Sequence, residues 1–351
     1  MPKRLSVMSL ALALALVPLI LVLVSCQTNQ AQNSKPTRQT IVVYSFSVEE
    51  EVMNKEIFPA FMKYWEQRTG EEVTFQSIFT GSEEIADRIV KGGLADVAIL
   101  SNEQHAVWLN INDLVQTDWH DFPHQGVISQ SPIVIVVRPG NPLGITDWAD
   151  LCRPNVKLVH ADPQTSGGAQ WALLAEYGSA LMAGESQEAA KEQLRGIWTN
   201  VIDSPSSARE ALKEFLFGVG DALITYEQDA LLAQSRGASI EVVTPPRTIM
   251  SEHVVVLVDH NVDPWEREVV NAFVSFLWSD TAQNAFTRYY FRPVTDEALE
   301  ALAADNASST GTLPRFSKIE QPFTVQDLGG WGQMYPEIIR GVWEEEIAPL
   351  Q

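Results

Sequence analysis

Two kinds of residue are scarce in this chain of 351 residues, and each scarcity excludes a class of protein. Only two cysteines occur, Cys26 and Cys152, so several thiolates cannot share a zinc ion and at most one disulfide can form. Basic residues are outnumbered: 24 Lys and Arg stand against 45 Asp and Glu, for a formal net charge of −21. Because this charge repels a phosphate backbone, we expect no nucleic-acid partner.

Sequence motifs of catalysis are also missing. There is no G-x-S-x-G, no H-E-x-x-H, no Walker loop and no G-x-G-x-x-G after a strand. The six histidines are scattered along the chain rather than grouped at metal-ligand spacing. We therefore expect no enzyme activity, no cofactor and no metal site. An exported serine hydrolase that uses Ser166 as its nucleophile is kept as an alternative, although the sequence nominates no base for it.

The chain begins with an export signal. Lys3 and Arg4 precede an apolar run from residue 5 to residue 24, which gives a signal peptide over residues 1–25. The run ends in Leu-Val-Ser-Cys, which resembles the bacterial lipobox, and we expect Cys26 to carry the lipid that anchors the mature chain outside the cytoplasm. An ordinary signal peptide or an uncleaved anchor helix is the alternative. The polar residues 26–39 are predicted to form a flexible tether.

From residue 40 onward, short β-branched runs alternate with helical patterns. TIVVYS at residues 40–45 and LADVAIL at residues 94–100 are typical strands, and the segments between them have apolar residues at three- and four-residue steps. This alternation predicts an α/β fold with mostly parallel sheets. A middle block between two outer ones predicts two lobes that the chain crosses between twice. Lobe 1 takes residues 40–131 and 251–351, with the C-terminal segment able to pack on either lobe, and lobe 2 takes residues 132–250.

Three turns rich in Ser, Thr and Gly lie where predicted strands lead into helices, at residues 45–47, 80–82 and 165–168. The first turn of a helix has unpaired N–H groups and the positive end of the helix dipole, so it can hold an anion without a cationic side chain. Because ligands of α/β proteins bind at the carboxyl ends of strands, we expect the turns to meet. The candidate ligand-binding residues are Ser47, Ser82, Ser166, Gly167 and Gly168.

The segment DPQTSGGAQW at residues 162–171 resembles a motif of the periplasmic sulfate-binding proteins, which are the solute-binding components of sulfate and thiosulfate ABC importers. FMKYWEQRTG at residues 61–70, SPIVIVVRPGNP at residues 131–142 and FTVQDLGGW at residues 323–331 follow in the family's order. The resemblance covers nearly all of the chain after the tether.

This resemblance implies a two-lobed, venus-flytrap periplasmic binding protein of type II, with a dehydrated oxyanion held between the lobes by backbone N–H groups, serine hydroxyls and one indole N–H. It also implies a monomer that delivers its ligand to a membrane permease. Ser166, Gly167 and Gly168 match the family pattern directly. Ser82 matches the serine of a Gly-Gly-Ser-Gly turn in which Glu83 replaces the last glycine, and Ala211 matches a ligand-facing alanine if one residue is deleted nearby.

Two departures from the family pattern concern the ligand. Ser47 stands where the family has Asp, and Tyr226 stands where it has the Trp that donates its N–H to sulfate. A phenol also donates one hydrogen bond, so sulfate or thiosulfate remains the expected ligand. Molybdate or tungstate is the alternative, because tyrosine at such a site resembles the molybdate-binding proteins. A receptor that kept the fold and lost its ligand is a further possibility. The direction in which Glu83 and Glu84 point is left open.

Overall fold

The computed structural model describes residues 38–308 and 311–350. The signal peptide, the lipidation candidate Cys26 and the tether up to residue 37 lie outside the described residues. Residues 39–351 form a single compact unit by their internal contacts. Within the described ranges, no helix combines the length and the apolar character needed to cross a membrane.

Ten strands form the sheet region, and their sequences are rich in the β-branched residues that the sequence pattern singled out. Their bounds are β1 Arg38–Phe46, β2 Glu72–Thr80, β3 Val97–Leu100, β4 Val127–Val137, β5 Leu158–His160, β6 Val201–Asp203, β7 Ala222–Tyr226, β8 Glu241–Val243, β9 Arg247–Leu257 and β10 Gln321–Phe323. All four residues of β3 are buried, as expected for a strand covered by helices on both faces.

The strands are joined in the order β2-β1-β3-β9-β4-β7-β5-β6, with β8 beside β4 and β10 beside β9. Parallel pairs occur in both halves, between β1 and β3 in one and between β5 and its neighbours β6 and β7 in the other. The two long strands β4 and β9 pair antiparallel with each other and with β7 and β3 respectively. The α/β class predicted from the sequence is confirmed.

The strands β4 and β9 connect the two halves of the sheet. The first part of β4, up to Pro132, pairs with β9, and from Ile133 onward the strand pairs with β7 and β8. Proline suits this change of partner because it has no N–H to place in a ladder. Likewise, β9 pairs with β10 up to Ile249 and with β4 from Met250. The chain therefore passes between the halves on two adjacent strands, and the lobe boundaries remain a prediction.

Helices cover the sheet, and several start at a serine, threonine or asparagine cap. Their bounds are α1 Phe58–Thr69, α2 Ser82–Val90, α3 Glu103–Ile111, α4 Gly167–Met182, α5 Gln187–Trp198, α6 Ala208–Leu216, α7 Glu227–Ser235, α8 Arg267–Phe276, α9 Asp280–Arg288, α10 Asp296–Ala307 and α11 Trp331–Met334. Short helical turns precede α1, and a long π-helical segment, Tyr335–Ile347, follows α11.

The C-terminal segment packs on helices of the middle block. The ring of Trp331 meets that of Trp171 edge to face at 4.7 Å, and Trp343 meets Trp198 at 5.5 Å. Each pair of rings adds directional contacts to the area it buries. Of the two locations that the sequence left open for this segment, these contacts favour the side of α4 and α5.

Candidate anion-binding site

The first turn of α4 carries the motif that the sequence singled out. Ser166 is the N-cap, and its hydroxyl accepts the Ala169 N–H at 3.3 Å. Gly167 and Gly168 follow as the first two helical residues, so their N–H groups have no carbonyl partner inside the helix. No acidic or basic side chain occurs in this turn. The turn therefore presents backbone donors and a helix dipole free of side-chain charge.

Neighbouring side chains leave no room for a Cβ atom at Gly167 or Gly168. A Cβ on Gly167 would lie 2.0 Å from Ser101 Oγ, and a Cβ on Gly168 would lie 2.8 Å from Cε2 and 2.9 Å from the hydroxyl of Tyr226. Real Cβ atoms do not approach other atoms so closely. The main chain of α4 is thus in direct contact with the Ser101 and Tyr226 side chains, which the absence of a side chain on each glycine permits.

The first turn of α2 faces the first turn of α4 across a narrow gap. Ser82 is the first residue of α2 and is 1% exposed. A Cβ on the preceding Gly81 would lie 2.1 Å from the Thr165 carbonyl oxygen, and the Glu84 N–H donates to that same oxygen at 3.2 Å. The two turns at residues 80–82 and 165–168 therefore meet, as predicted from their positions at strand ends.

Tyr226 is the last residue of β7 and the N-cap of α7. It is 1% exposed, and burial raises the pKa of its phenol, so the hydroxyl keeps its proton and can donate it. Within residues 38–308 and 311–350, its only hydrogen-bond partner is the Ser101 hydroxyl. Two hydroxyls bonded only to each other leave one buried hydrogen without an acceptor, which is unfavourable and makes this pair the strongest sign that a polar ligand belongs here.

Ser101 is a site residue that the sequence analysis missed. It directly follows β3 and is fully buried, and among the described residues its hydroxyl has only the Tyr226 hydroxyl as a hydrogen-bond partner. Its N–H donates to Ser82 Oγ at 3.0 Å, and the Trp171 indole donates to its carbonyl. The rule that drew attention to the other strand ends applies equally to this one, so its position after a buried strand was an available signal.

The remaining two predicted residues are placed differently. Ser47 begins the short 3-10 turn after β1 and is nearly buried, and its neighbour Phe46 contacts the Tyr226 ring with centroids 6.2 Å apart. Ala211 lies inside α6, where its N–H already donates to the Ser207 carbonyl at 2.9 Å. Its methyl group is fully buried in the apolar core. The N–H of Ala211 is therefore not free to donate to a ligand, because it belongs to the helix.

The direction of the two glutamates in the first turn of α2 is now visible. Glu83 accepts hydrogen bonds from His105 Nε2 at 2.7 Å and Gln170 Nε2 at 2.8 Å. Glu84 accepts from the Thr80 hydroxyl at 2.6 Å and pairs with Arg88 at 2.7 Å. Both carboxylates have donors of their own, so neither is an uncompensated charge at the site.

A second buried polar cluster supports the site from the side of β1 and the crossing strands. Burial raises the pKa of Glu49 to about 8, and it therefore remains largely protonated and uncharged at neutral pH. Burial lowers the pKa of His253 to about 3, so this ring is neutral as well. His253 is hydrogen-bonded to Ser129 on β4 and its ring meets that of Tyr226 edge to face. Thus Glu49 carries no charge that would oppose an anion, and His253 carries none that would attract one.

Charged pairs join segments of the two halves near the same place. The Arg209 guanidinium lies 3.0 Å from the buried Asp229 carboxylate and also donates to the Val48 carbonyl at 3.1 Å. Arg236, just after α7, pairs with Glu51 in the turns before α1. Burial nevertheless raises the pKa of Asp229, although Arg209 acts in the opposite direction.

The arrangement around Ser166 does not resemble that of a hydrolase. Its hydroxyl caps α4, and in the described part of the chain no histidine ring is hydrogen-bonded to it. The described residues also contain no group of three or more His, Cys, Asp or Glu side chains placed to hold a metal ion. The structure brings together the first turns of α2 and α4 and the Ser101 and Tyr226 side chains.

Residues 52–292 match the family model of bacterial extracellular solute-binding proteins. This span is more than half of the chain. The chain belongs to this family.

Named relatives cover most of the sequence. A sulfate-binding protein of Synechococcus elongatus is 34% identical over 324 residues, covering 92% of this chain and 89% of the relative. The sulfate-binding protein of Escherichia coli is 33% identical over 285 residues, covering 79% and 83% of the two chains. A thiosulfate-binding protein of Pseudomonas aeruginosa is 31% identical over 303 residues, covering 84% and 88%. These relatives are named as solute-binding proteins rather than as enzymes.

A solved structure agrees with the fold. The sulfate-binding protein SubI from Mycobacterium tuberculosis superposes with a TM-score of 0.76 at 29% identity, covering 85% of this chain and 99% of that one. A periplasmic thiamin-binding protein superposes at 0.64 with 16% identity, which concerns the fold alone. The two-lobed periplasmic binding protein fold expected from the sequence is thus confirmed.

Proposed function

We propose that this protein captures sulfate, or the related thiosulfate, between its two lobes and delivers it to an ABC import permease. The observation that carries the proposal is the pair of buried, neighbouring hydroxyls of Ser101 and Tyr226, which have no hydrogen-bond partner other than each other in the described residues. They adjoin the glycine main chain of α4. Each hydroxyl can donate one hydrogen bond, and a tetrahedral dianion can accept several.

The charge distribution supports an anion held by dipoles rather than by a cationic side chain. Arg209 on α6 is already paired with the Asp229 carboxylate. Two helix N-termini meet at the site, and each carries partial positive charge that is strongest in the first turn. Because the protein as a whole is acidic, capture relies on these local donors and not on long-range attraction.

The candidate ligand-binding residues are those that converge on this point. Ser82, Ser166, Gly167, Gly168 and Tyr226 are proposed as ligand-binding residues from the sequence, with Ser47 beside them, and Ser101 is added from the structure. Ala211 is dropped as a donor because its N–H is used within α6. Molybdate and tungstate remain competing ligands, since a phenol replaces the family's indole at residue 226.

The cellular setting is part of the same proposal. The family is an extracellular one. We propose that Cys26 is lipidated and that residues 26–39 tether the folded body at the outer face of the cytoplasmic membrane, as a monomer. Cys26→Ala is expected to leave unprocessed precursor in membranes. Normal processing of that variant, with no palmitate label on the wild type, would remove the anchor.

Calorimetry of the mature protein with sulfate, thiosulfate, molybdate, tungstate and phosphate tests the ligand. Binding to the folded state alone raises the midpoint of thermal unfolding by an amount set by RT ln(1 + [L]/Kd), so a thermal-shift panel gives an independent reading. We expect sulfate or thiosulfate to give the largest shift. A larger shift with molybdate would reassign the ligand, and the absence of a shift with any of the anions would contradict the receptor function.

A further inference from the structure

The Ser82 hydroxyl, one of the proposed ligand donors, has two hydrogen-bonding neighbours in the protein. It accepts the Ser101 N–H at 3.0 Å, and it lies 2.9 Å from Nδ1 of His105. His105 is 1% exposed and was singled out neither by the sequence motifs nor by the anion-binding turns. A hydroxyl has one hydrogen to donate, so the atom that receives this hydrogen decides whether Ser82 can donate to an anion.

The hydrogen-bond network around His105 fixes the state of its other ring nitrogen. Glu83 accepts hydrogen bonds from His105 Nε2 and from the Gln170 amide, and these donors favour its carboxylate form, so Glu83 is an ionised acceptor. An ionised carboxylate cannot donate, so Nε2 carries a hydrogen. The same logic orients Gln170, whose amide nitrogen donates to Glu83 and to the Pro163 carbonyl.

Only Nδ1 of His105 remains to be decided, and its two states have opposite effects on Ser82. If His105 is neutral, Nδ1 has a lone pair and receives the Ser82 hydrogen, which is then lost to the ligand. If His105 is doubly protonated, Nδ1–H donates to Ser82 Oγ. That oxygen then accepts two hydrogen bonds, one from Ser101 and one from His105, and its own hydrogen can only point elsewhere.

We propose that His105 is a positioning residue for anion capture, and that the bound dianion selects the doubly protonated ring so that Ser82 donates its hydrogen to the anion. On binding, a proton from water goes to Nδ1, and the Glu83 carboxylate balances the imidazolium charge. This inference rests on the anion-binding function proposed above and specifies how one of its donors is prepared. It also makes the affinity depend on pH through a residue that does not touch the ligand.

Lobe closure completes the arrangement. Gln170 belongs to α4 in the middle block, whereas Glu83 and His105 belong to α2 and α3. Gln170 donates to Glu83 and accepts from Asn102 Nδ2 at 3.0 Å, and Asn102 caps α3 through the His105 N–H. The carboxylate that balances the imidazolium is thus held by a residue of the other lobe.

Few charged groups face the pair formed by His105 and Glu83. From the C-terminal segment, Arg340 lowers the pKa of Glu83, and burial together with the Glu83 charge raises the pKa of Tyr335. On α3 itself, Glu103 is hydrogen-bonded to His120 rather than to His105.

The neighbouring helix and strand add no competing charge in contact with the ring. From α4 only the neutral Gln170 reaches the pair. From β9, Glu252 accepts from Gln130 at 3.3 Å. The Nδ1 proton is therefore controlled chiefly by Glu83, by Ser82 and by the anion.

The direct test is the ring state of His105 in mature protein labelled with ¹⁵N at histidine. Nitrogens that carry a proton and nitrogens with a lone pair have well-separated shifts. We expect Nδ1 of His105 to be protonated in saturating sulfate at about pH 8 and to have a lone pair without sulfate. A lone pair at Nδ1 in the sulfate complex would overturn the inference, even if sulfate binds tightly.

Affinity as a function of pH gives the second reading, since sulfate itself does not titrate near neutrality. Wild-type affinity is expected to fall by about tenfold per pH unit wherever free His105 is neutral, because one proton is taken up per anion. His105→Asn places an amide donor near the position of Nδ1 and cannot titrate, so it should bind sulfate with a flatter pH profile. His105→Ala should bind about ten- to a hundredfold more weakly.

The control variant is His120→Asn, which alters an exposed histidine hydrogen-bonded to Asp118 and should keep the wild-type profile. Titration of Glu49 affects all variants equally and cancels in the ratio of wild type to His105→Asn. Equal pH profiles for these two proteins would overturn the inference while leaving the receptor function intact. If the wild type binds none of the five anions at any pH, the receptor function fails and the inference fails with it.

Discussion

The helices α2 and α4 both begin at the proposed anion site, but their first turns are built differently. The first turn of α4 contains Gly167 and Gly168 and no charged residue. The first turn of α2 contains Ser82 followed by Glu83 and Glu84. By dipole alone, carboxylates suit the N-terminus of a helix, yet they oppose a dianion placed there.

The difference shows how the start of α2 can accommodate its own carboxylates as well as a ligand anion. The α2 carboxylates turn sideways, with Glu83 on His105 and Gln170 and with Glu84 on Thr80 and Arg88. Their negative charge is compensated by these hydrogen-bond donors and not by groups proposed to bind the ligand. The α4 turn needs no such compensation and brings bare main chain against the Tyr226 ring. The glycine turn of α4 therefore allows close contact with its main chain. The serine turn of α2 instead supplies a hydroxyl group, and the residues around Ser82 determine the direction of its hydrogen.

The largest expected effect comes from placing a carboxylate on α4. Gly168→Asp puts a charge and a Cβ where Tyr226 and the anion lie, and repulsion of roughly 4 kcal/mol or more corresponds to a loss of at least about a thousandfold in affinity. Calorimetry with sulfate measures it. Gly332→Asp is the matched control, since a Cβ at Gly332 meets no atom within 4 Å. Retained binding by Gly168→Asp, with its fold verified by circular dichroism, would take the α4 turn out of the site.

Removal of one donor is expected to have the next largest effect. Tyr226→Phe keeps the ring and loses a hydrogen bond to a charged acceptor, worth about 1.5–3 kcal/mol, so affinity should fall by about ten- to a hundredfold. Stability without ligand should fall little, because the only partner of the hydroxyl among the described residues is the Ser101 hydroxyl.

Tyr226→Trp extends this experiment by restoring the family's donor in a larger side chain. A gain for sulfate over molybdate in that variant would show that residue 226 sets the choice of anion. Tyr64→Phe, at a partly exposed tyrosine of α1, is the control. If Tyr226→Phe binds every anion like the wild type, Tyr226 is a core residue only.

On the α2 side, a substitution of Glu83 is expected to change the stability of the fold, by an amount that depends on pH. The pKa of Glu83 lies below its usual value in the folded protein, because the interactions with His105 and Gln170 outweigh burial. Such a carboxylate stabilises the fold above about pH 4.5, and this contribution is lost as the pH falls through its lowered pKa.

Glu83→Gln should therefore lower the free energy of unfolding by about 1–3 kcal/mol at about pH 5, and the deficit should shrink as the pH falls further, through the lowered pKa of Glu83. Urea unfolding at about pH 5 and about pH 3 gives the comparison. Glu300→Gln, on the exposed face of α10, should show little deficit at either pH. A Glu83→Gln deficit that grows on acidification would contradict the assigned ionisation.

The smallest effect is expected at Glu84. Its carboxylate is partly exposed and paired with Arg88 one helical turn away, and such pairs contribute about 0.3–0.5 kcal/mol. Glu84→Gln should therefore change sulfate affinity by less than about threefold by calorimetry. A gain of tenfold or more would mean that Glu84 faces the anion, and the contrast between the two helix starts would then have to be reversed.

Much of this protein could be read from local sequence. The alternation of β-branched runs with helical patterns reflects burial on both faces of a sheet, and it located β1, β3 and α4 within a few residues. Capping chemistry is also local, so the turn at residues 165–168 was identified with Ser166 as the start of α4.

Other features were decided only by the tertiary structure. Ser101 and His105 contact Ser82, and Gln170 contacts the adjacent Glu83, and no spacing rule relates residues so far apart in the sequence. Ala211 satisfied a motif but lost its free N–H to α6, because main-chain bonding depends on where a helix starts. The direction of Glu83 followed from donors 22 and 87 residues away in sequence. The sequence determined which turns end in hydrogen-bond donors, and packing determined which of those donors have a hydrogen left to give.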